Sequence, residues 1–442
     1  MQETVLIGNG TVLTSGPDSQ VIHNGGVLLT GDTIEAVGPT EELKDRAGEF
    51  IDARGRLVMP GLVCAHHHLY STLSCGIASA PSYNFVEVLQ NLWWKLDRAL
   101  DMEDVYYSAL IPLARCIASG TTTIIDHHAS PAAITGSLAR IGDAVTEAGI
   151  RASLCYEVTD RNGLDGAQAG IDENAAWLKL CRDNDKLHGL VGIHAAMTVG
   201  QETLAGCVAL AKEHGTGLHI HVAEDLADQE DSLKKYGKRV IQRLADAGGL
   251  GPNTLAVHCV HIDDDEVQLL KDTDTVVVHN AQSNMNNGVG CANVLELTKR
   301  GIRLCLGTDG MTSNMFEEAR AAFFVRHHAE LDPSVGFMET TGALLQTNPA
   351  VASSFFGRQL GVLEPGAAAD VIIVDYAPFT PMNAGNAGGH LLFGAAAAKV
   401  DTTICGGKVL MRDAKLLTLD LDEIYRQARE RSPRTWERFA AL

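Results

Sequence analysis

The middle of this chain alternates eight times between a short apolar run and a longer amphipathic stretch. The runs are Leu57–Cys64, Thr122–Asp126, Arg151–Glu157, Leu190–His194, Gly217–His221, Leu255–Cys259, Thr275–His279 and Ile302–Asp309. The accompanying helix candidates are Met102–Ser119, Ile134–Ala148, Asp172–Asp183, Gln201–His214, Ser232–Ala247, Asp263–Lys271, Ala292–Arg300 and Phe316–Ala329. Continuous apolar runs suit strands covered on both faces. Eight strand–helix units predict an α/β fold of the (β/α)8 TIM-like barrel type. The rival, a doubly wound sheet, would usually carry Gly-x-Gly-x-x-Gly after an early strand, and that turn is absent.

Both ends of the chain read differently. Thr4–Ile7, Val27–Leu29 and Thr33–Val37 are short strand-like runs separated by glycines, and the pattern returns at Asp370–Asp375, Thr402–Cys405 and Lys408–Met411. The expected organisation is therefore a barrel over residues 59–361. Residues 1–58 and 362–442 would make a small β-sandwich domain, with a C-terminal helix at Leu421–Phe439. After the first barrel run comes a long loop and an aromatic helix, Tyr83–Leu100, with Trp93 and Trp94. A segment this long over a barrel mouth is either a lid or a contact between copies.

Of the 442 residues, 55 are acidic and 35 basic, a net charge of −20 that would repel a nucleic-acid backbone. Met1–Gly10 lacks a basic segment leading into an apolar run, so no secretory leader is expected. No uncharged apolar stretch reaches the ~18 residues of a membrane span. The ten cysteines form no C-x-x-C pair, which suits reduced thiols in a cytoplasmic protein.

The polar residues among the apolar runs gather at one end. Strand ends carry His66-His67-His68, Asp126-His127-His128, His194, His219 with His221, His258, His279 and Asp309. In barrel enzymes the active site lies at those ends. His66 and His68 are two apart and face one side of a strand, so both imidazoles can aim at one ion. A carboxylate such as Asp309 is costly at the end of an apolar strand unless it pairs or binds an ion. Glu224, three residues past His221, would come back over the mouth if the chain curls there, and a carboxylate beside an activated water can act as acid and base. Singly, each of these residues also suits a structural role. Together, at successive strand ends, they suggest a metal site.

These residues resemble the amidohydrolase superfamily, in its deaminase and chlorohydrolase branch. The markers are Met59-Pro60-Gly61 leading to His66-His67-His68, His221-Val222-Ala223-Glu224, Ala256-Val257-His258-Cys259, Val278-His279-Asn280 and Leu306-Gly307-Thr308-Asp309-Gly310. Leu363-Glu364-Pro365-Gly366 through Ala369-Asp370-Val371-Ile372 resembles the family's return into its sandwich. Asn91–Asp101, Asp126–Pro131, Ser283–Asn287 and Met315–Glu318 resemble, more narrowly, the SsnA type of aminohydrolase. The resemblance implies that His66, His68, His221 and Asp309 bind the metal. Glu224 would move protons, and His258 would hold the attacking water or the oxyanion it becomes. His194 and His279 would contact substrate, and Met197, Asn286 and Trp94 are further candidates for it.

Two departures fall where relatives contact substrate. His194-Ala195-Ala196-Met197 stands where deaminase relatives often have Pro and Tyr, and Asn286 stands near the place of a Lys. Binuclear relatives bridge two ions with a carboxylated Lys ending the fourth strand, and here that strand ends at His194. The resemblance therefore implies one divalent ion, zinc or iron, and a homo-oligomer. The expected reaction is hydrolytic deamination of a purine-, pterin-, pyrimidine- or triazine-like heterocycle. Cyclic amide hydrolysis, dechlorination and a non-catalytic metal scaffold are the alternatives; a scaffold would not need Glu224 and His258.

Overall fold

The computed structural model describes residues 4–442; Met1, Gln2 and Glu3 of the N-terminal segment discussed above lie outside it. Its centre is a ring of parallel strands. Four segments pair in order as Leu62–His67, Thr121–Asp126, Arg151–Leu154 and Leu187–Gly189. Five more follow as Val191–Ala195, Leu218–Val222, Leu255–His258, Val276–His279 and Leu304–Leu306. Leu187–Gly189 and Val191–Ala195 are two halves of the fourth barrel strand, interrupted at Leu190. The halves stay joined to the third strand, because Leu190 N donates to Leu154 O (3.2 Å) and Val158 N to Gly192 O (3.1 Å).

The seam between the first and eighth strands is closed by backbone and by one side chain. Thr308 N and Asp309 N donate to His66 O at 2.9 and 3.1 Å. Fully buried Asn348 donates Nδ2 to Val63 O (2.7 Å) and Leu306 O (2.8 Å) and accepts from Leu306 N (2.8 Å). The close approach explains Gly307: a Cβ there would lie 2.6 Å from the His66 Cβ.

Both chain ends build one nine-stranded sheet. Leu57–Pro60 pairs parallel with Thr4–Leu13 and antiparallel with Val371–Val374, so it joins the two terminal contributions. This corrects the single run Leu57–Cys64. It is two strands in two sheets, broken at Gly61, and the expected boundary at residue 58 falls inside the first of them. Gly61 makes the crossing, since a Cβ there would meet Thr122 Oγ1 at 2.2 Å. Ser232–Ala247 is likewise two helices, Leu226–Tyr236 and Val240–Ala247, because Gly237 takes φ +67° and ends the first.

The C-terminal helix, Leu421–Ala440, packs on the barrel's first loop. Thr435 Oγ1 donates to Asp104 (3.0 Å), Trp436 Nε1 to Leu73 O (2.8 Å) and Arg438 Nε to Ala99 O (2.6 Å). That loop holds a short helix at Phe85–Val88, a π-helical turn at Leu89–Trp93 and a helix at Trp94–Ala99, before the long helix Met102–Ala118. Among the described residues no helix is long and apolar enough to cross a membrane.

Candidate metal centre

The strand ends converge on one small volume. His68 Nε2 lies 3.2 Å from His221 Nε2 and 3.3 Å from Asp309 Oδ1, and His221 Nε2 lies 3.3 Å from His66 Nε2. A tetrahedral ion about 2.0–2.1 Å from each donor requires donors about 3.3–3.4 Å apart. The three imidazoles cluster at about that spacing, and Asp309 meets His68 at the same spacing from the eighth strand.

The opposite ring nitrogens fix the tautomers. His68 Nδ1–H donates to His127 O (2.6 Å) and His221 Nδ1–H to His194 O (2.8 Å), which leaves each Nε2 lone pair facing inward. His66 Nδ1 meets His219 Nε2 at 2.8 Å, and His219 Nδ1 in turn faces Cys155 Sγ at 3.6 Å. Protons on the two Nδ1 atoms leave His66 Nε2 free as well. Burial, reinforced by the surrounding imidazoles, holds the His66 and His221 rings well below the usual histidine range, so both are neutral, as metal ligands must be.

The backbone turns sharply where this chemistry sits. Ala223 (φ 45°), His258 (φ 70°), Cys259 (φ 52°) and Asp309 (φ 52°) all take the left-handed conformation at the ends of strands five, six and eight. At Ala223 the turn brings Glu224 back over the mouth. Asp228 holds it there, accepting from Ala223 N (2.9 Å) and Met197 N (2.8 Å). Glu224 Oε1 accepts from Asn287 Nδ2 (3.0 Å), and its Oε2 lies 3.4 Å from His258 Nε2. Asn284 Nδ2 donates to His258 Nδ1 (2.9 Å), which keeps the His258 proton on Nε2, facing Asp309 Oδ2 at 3.6 Å. Burial brings His258 down to about 4, so it is a neutral donor near pH 7.

Their surroundings push Glu224 and Asp309 in opposite directions. Burial, and then the charge of Asp309, pushes Glu224 well above the usual carboxyl range. Burial pushes Asp309 the same way, but His68, His258, the Ser283 hydroxyl (2.7 Å) and Gly310 N (2.6 Å) overcome it and keep Asp309 low. One carboxyl is ready to bind a cation and the other to carry a proton.

A cleft opens beside these groups. His194, Met197, Asn286 and Trp94 line it, as do His68, His221, Glu224 and Asp309. His279 does not: it is 2% exposed inside the closed barrel, and neither ring nitrogen has a partner among the described residues. The long loop supplies Phe85, Leu89, Trp93, Trp94 and Asp97 to the same cleft. Asp97 and Glu157 also line it, and neither is among the residues that the strand-end pattern points to. Glu157 hides inside the run Arg151–Glu157, although an acid ending an apolar run is the signal that marks Asp309.

Residues 57–410 match the Amidohydrolase family. The chain belongs to that family. Among amidohydrolase relatives, it is 32% identical to a 5'-deoxyadenosine deaminase of Methanosarcina mazei, over 96% of this chain and 97% of the relative. It is 33% identical to a 5-methylthioadenosine/S-adenosylhomocysteine deaminase of Pelotomaculum thermopropionicum, over 97% and 98%. The solved structure of an adenosine deaminase from Xanthomonas campestris with bound zinc shares its fold, with a TM-score of 0.86 at 23% identity over 99% of each chain. In this amidohydrolase, the four predicted ligands, Glu224 and His258 all converge at the C-terminal mouth of the barrel.

Proposed function

We propose that this amidohydrolase catalyses hydrolytic deamination of a nitrogen heterocycle, with one divalent ion held by His66, His68, His221 and Asp309. Zinc is favoured; iron is compatible with the same donors. The observation that carries the proposal is the placing of Glu224 over the ligand cluster, its Oε2 3.4 Å from His258 Nε2 while the same nitrogen faces Asp309 Oδ2 at 3.6 Å. A scaffold for a metal would need none of that pairing. Full-length similarity to deaminases of adenine nucleosides supports the same chemistry.

When bound, the ion would lower the pKa of a water towards ~7 and stabilise the negative charge that develops on the attacking oxygen. His258 Nε2–H donates to the attacking oxygen and orients it. Asp309 accepts its proton. Glu224 delivers a proton to the ring nitrogen next to the attacked carbon, the proton held by Asp309 passes to the exocyclic amine, which departs as ammonia, and the remaining hydroxyl proton returns to Glu224. Water and the amino-heterocycle thus give the oxo-heterocycle and ammonia. Trp94, Met197, His194 and Asn286 border the space where the ring would lie. The setting we assign is cytoplasmic, in keeping with ten free cysteines, and the enzyme is assigned as a homo-oligomer.

The test is ammonia release by the zinc-loaded protein over purines, pterins, pyrimidines and triazines. Release matched by the oxo product from at least one class supports the proposal. Turnover confined to a cyclic amide or a chloride would replace deamination with the corresponding hydrolysis.

A further inference from the structure

Behind the four ligands a row of polar groups crosses the barrel without lining the cleft. His66 Nδ1 lies 2.8 Å from His219 Nε2, and His219 Nδ1 lies 3.6 Å from Cys155 Sγ. Cys155 Sγ in turn lies 3.4 Å from Asp126 O. His66 and His219 come from the first and fifth strands, Asp126 ends the second, and Cys155 follows the third. All four residues are fully buried. Ala65, Ile125, Val257, Val278 and Cys305 share one apolar cluster with Cys155. Among the described residues its thiol has no polar partner besides His219 and Asp126.

Such a row can carry its protons in two directions, since a neutral imidazole has one N–H and a thiol one S–H. In the first, Cys155 Sγ–H donates to Asp126 O, His219 Nδ1–H to Cys155 Sγ, and His66 Nδ1–H to His219 Nε2. The His66 Nε2 lone pair is then free to meet an ion. In the second, Cys155 Sγ–H donates to His219 Nδ1 and His219 Nε2–H to His66 Nδ1. His66 then carries its own proton on Nε2, where it blocks the metal. The carbonyl decides between them. Asp126 O can only accept, so the second direction gives up its bond with Cys155, and a buried group loses such a bond unfavourably. A thiol bond is weak alone, but bonds in a dry chain polarise and strengthen one another.

We propose that His219 and Cys155 are positioning residues for the metal. Anchored by the Asp126 carbonyl, they hold the His66 proton on Nδ1 and present its Nε2 lone pair before the ion arrives. The proposal rests on the four-ligand centre and concerns affinity for the ion; neither side chain lines the cleft where a substrate would lie.

The test is zinc affinity, read by competition with a chromophoric chelator on variants checked for fold by circular dichroism. Cys155→Thr and Cys155→Val share one shape, and only the first offers a donor and an acceptor. Packing alone ranks Val above Thr, because a buried hydroxyl is costly in an apolar cluster. The proton row reverses that order: Thr should hold zinc about tenfold more tightly than Val, the lower end of the range for partners of metal-ligating histidines. His219→Gln, whose amide oxygen can accept from His66 Nδ1–H, should likewise bind zinc about tenfold more tightly than His219→Leu. Val as tight as Thr, or Leu as tight as Gln, overturns the proposal. Where variants fail to fold, neutron diffraction on the metal-free parent decides. Protons on Nδ1 of both His66 and His219 are expected, and a proton on either Nε2 overturns the assignment. A parent that holds no zinc removes the four-ligand centre together with the proposal, whereas a parent that holds zinc while the variant order fails removes the proposal alone.

Discussion

Glu224 and Asp309 are both carboxylic acids at strand ends, and their surroundings push them apart. Burial and the charge of Asp309 push Glu224 well above the usual carboxyl range, while His68, His258, Ser283 and Gly310 hold Asp309 below it. Glu224→Gln should therefore retain the metal and lose about 10²–10⁴ in kcat, read from turnover alongside metal analysis. Asn287 is the residue that aims Glu224, through its 3.0 Å hydrogen bond. Asn287→Ala should lower kcat about tenfold with a smaller change in KM, because the proton carrier loses its alignment rather than its chemistry. An unchanged kcat would remove Asn287 from the machinery. The ligands were legible in the sequence because an H-x-H on a strand and an acid ending an apolar run carry their own geometry. Asn287 and Asp228 are not, since each acts through a contact between separate segments or through a turn that no residue pattern announces.

Among elements, the alternation of runs and helices located the barrel, but the junctions needed three-dimensional information. The run Leu57–Cys64 is continuous in hydrophobicity because both of its halves are buried, one in each sheet. Only the crowding of Gly61 against Thr122 reveals the crossing. The sequence groups the C-terminal helix with the sandwich segments, and in the fold it braces the first barrel loop through Thr435, Trp436 and Arg438. Its charged sequence gives no clue to which neighbour it meets. The barrel seam rests on Asn348, which satisfies Val63 O and both backbone groups of Leu306. Asn348→Ala should cost about 2–4 kcal/mol, measured by urea unfolding, since it strands those buried groups. A loss below about 0.5 kcal/mol would mean that the backbone bonds close the seam unaided.

Across the whole molecule, the mouth of the barrel concentrates buried imidazoles. Burial lowers His66, His67, His68, His128, His194, His219, His221, His258 and His279 below their ordinary pKa of 6.5. Below pH 6.5 the unfolded chain binds protons at these positions that the folded chain does not. Their contribution to stability is therefore present above pH 6.5 and is lost as pH falls towards the folded values. The metal-free protein should lose roughly 5–10 °C in Tm between pH 7 and pH 5 by calorimetry. A Tm that holds or rises over that interval would show that these rings are solvated and protonated. Zinc should blunt the fall until protons displace it. The most direct measurement of the central claim is metal stoichiometry, by plasma mass spectrometry, on the zinc-loaded parent and its His68→Ala, Asp309→Ala and Glu224→Gln variants. We predict one ion per chain in the parent and in Glu224→Gln, with clear loss from the other two. Two tightly held ions in the parent, or undiminished zinc in His68→Ala and Asp309→Ala, would contradict the single four-ligand centre.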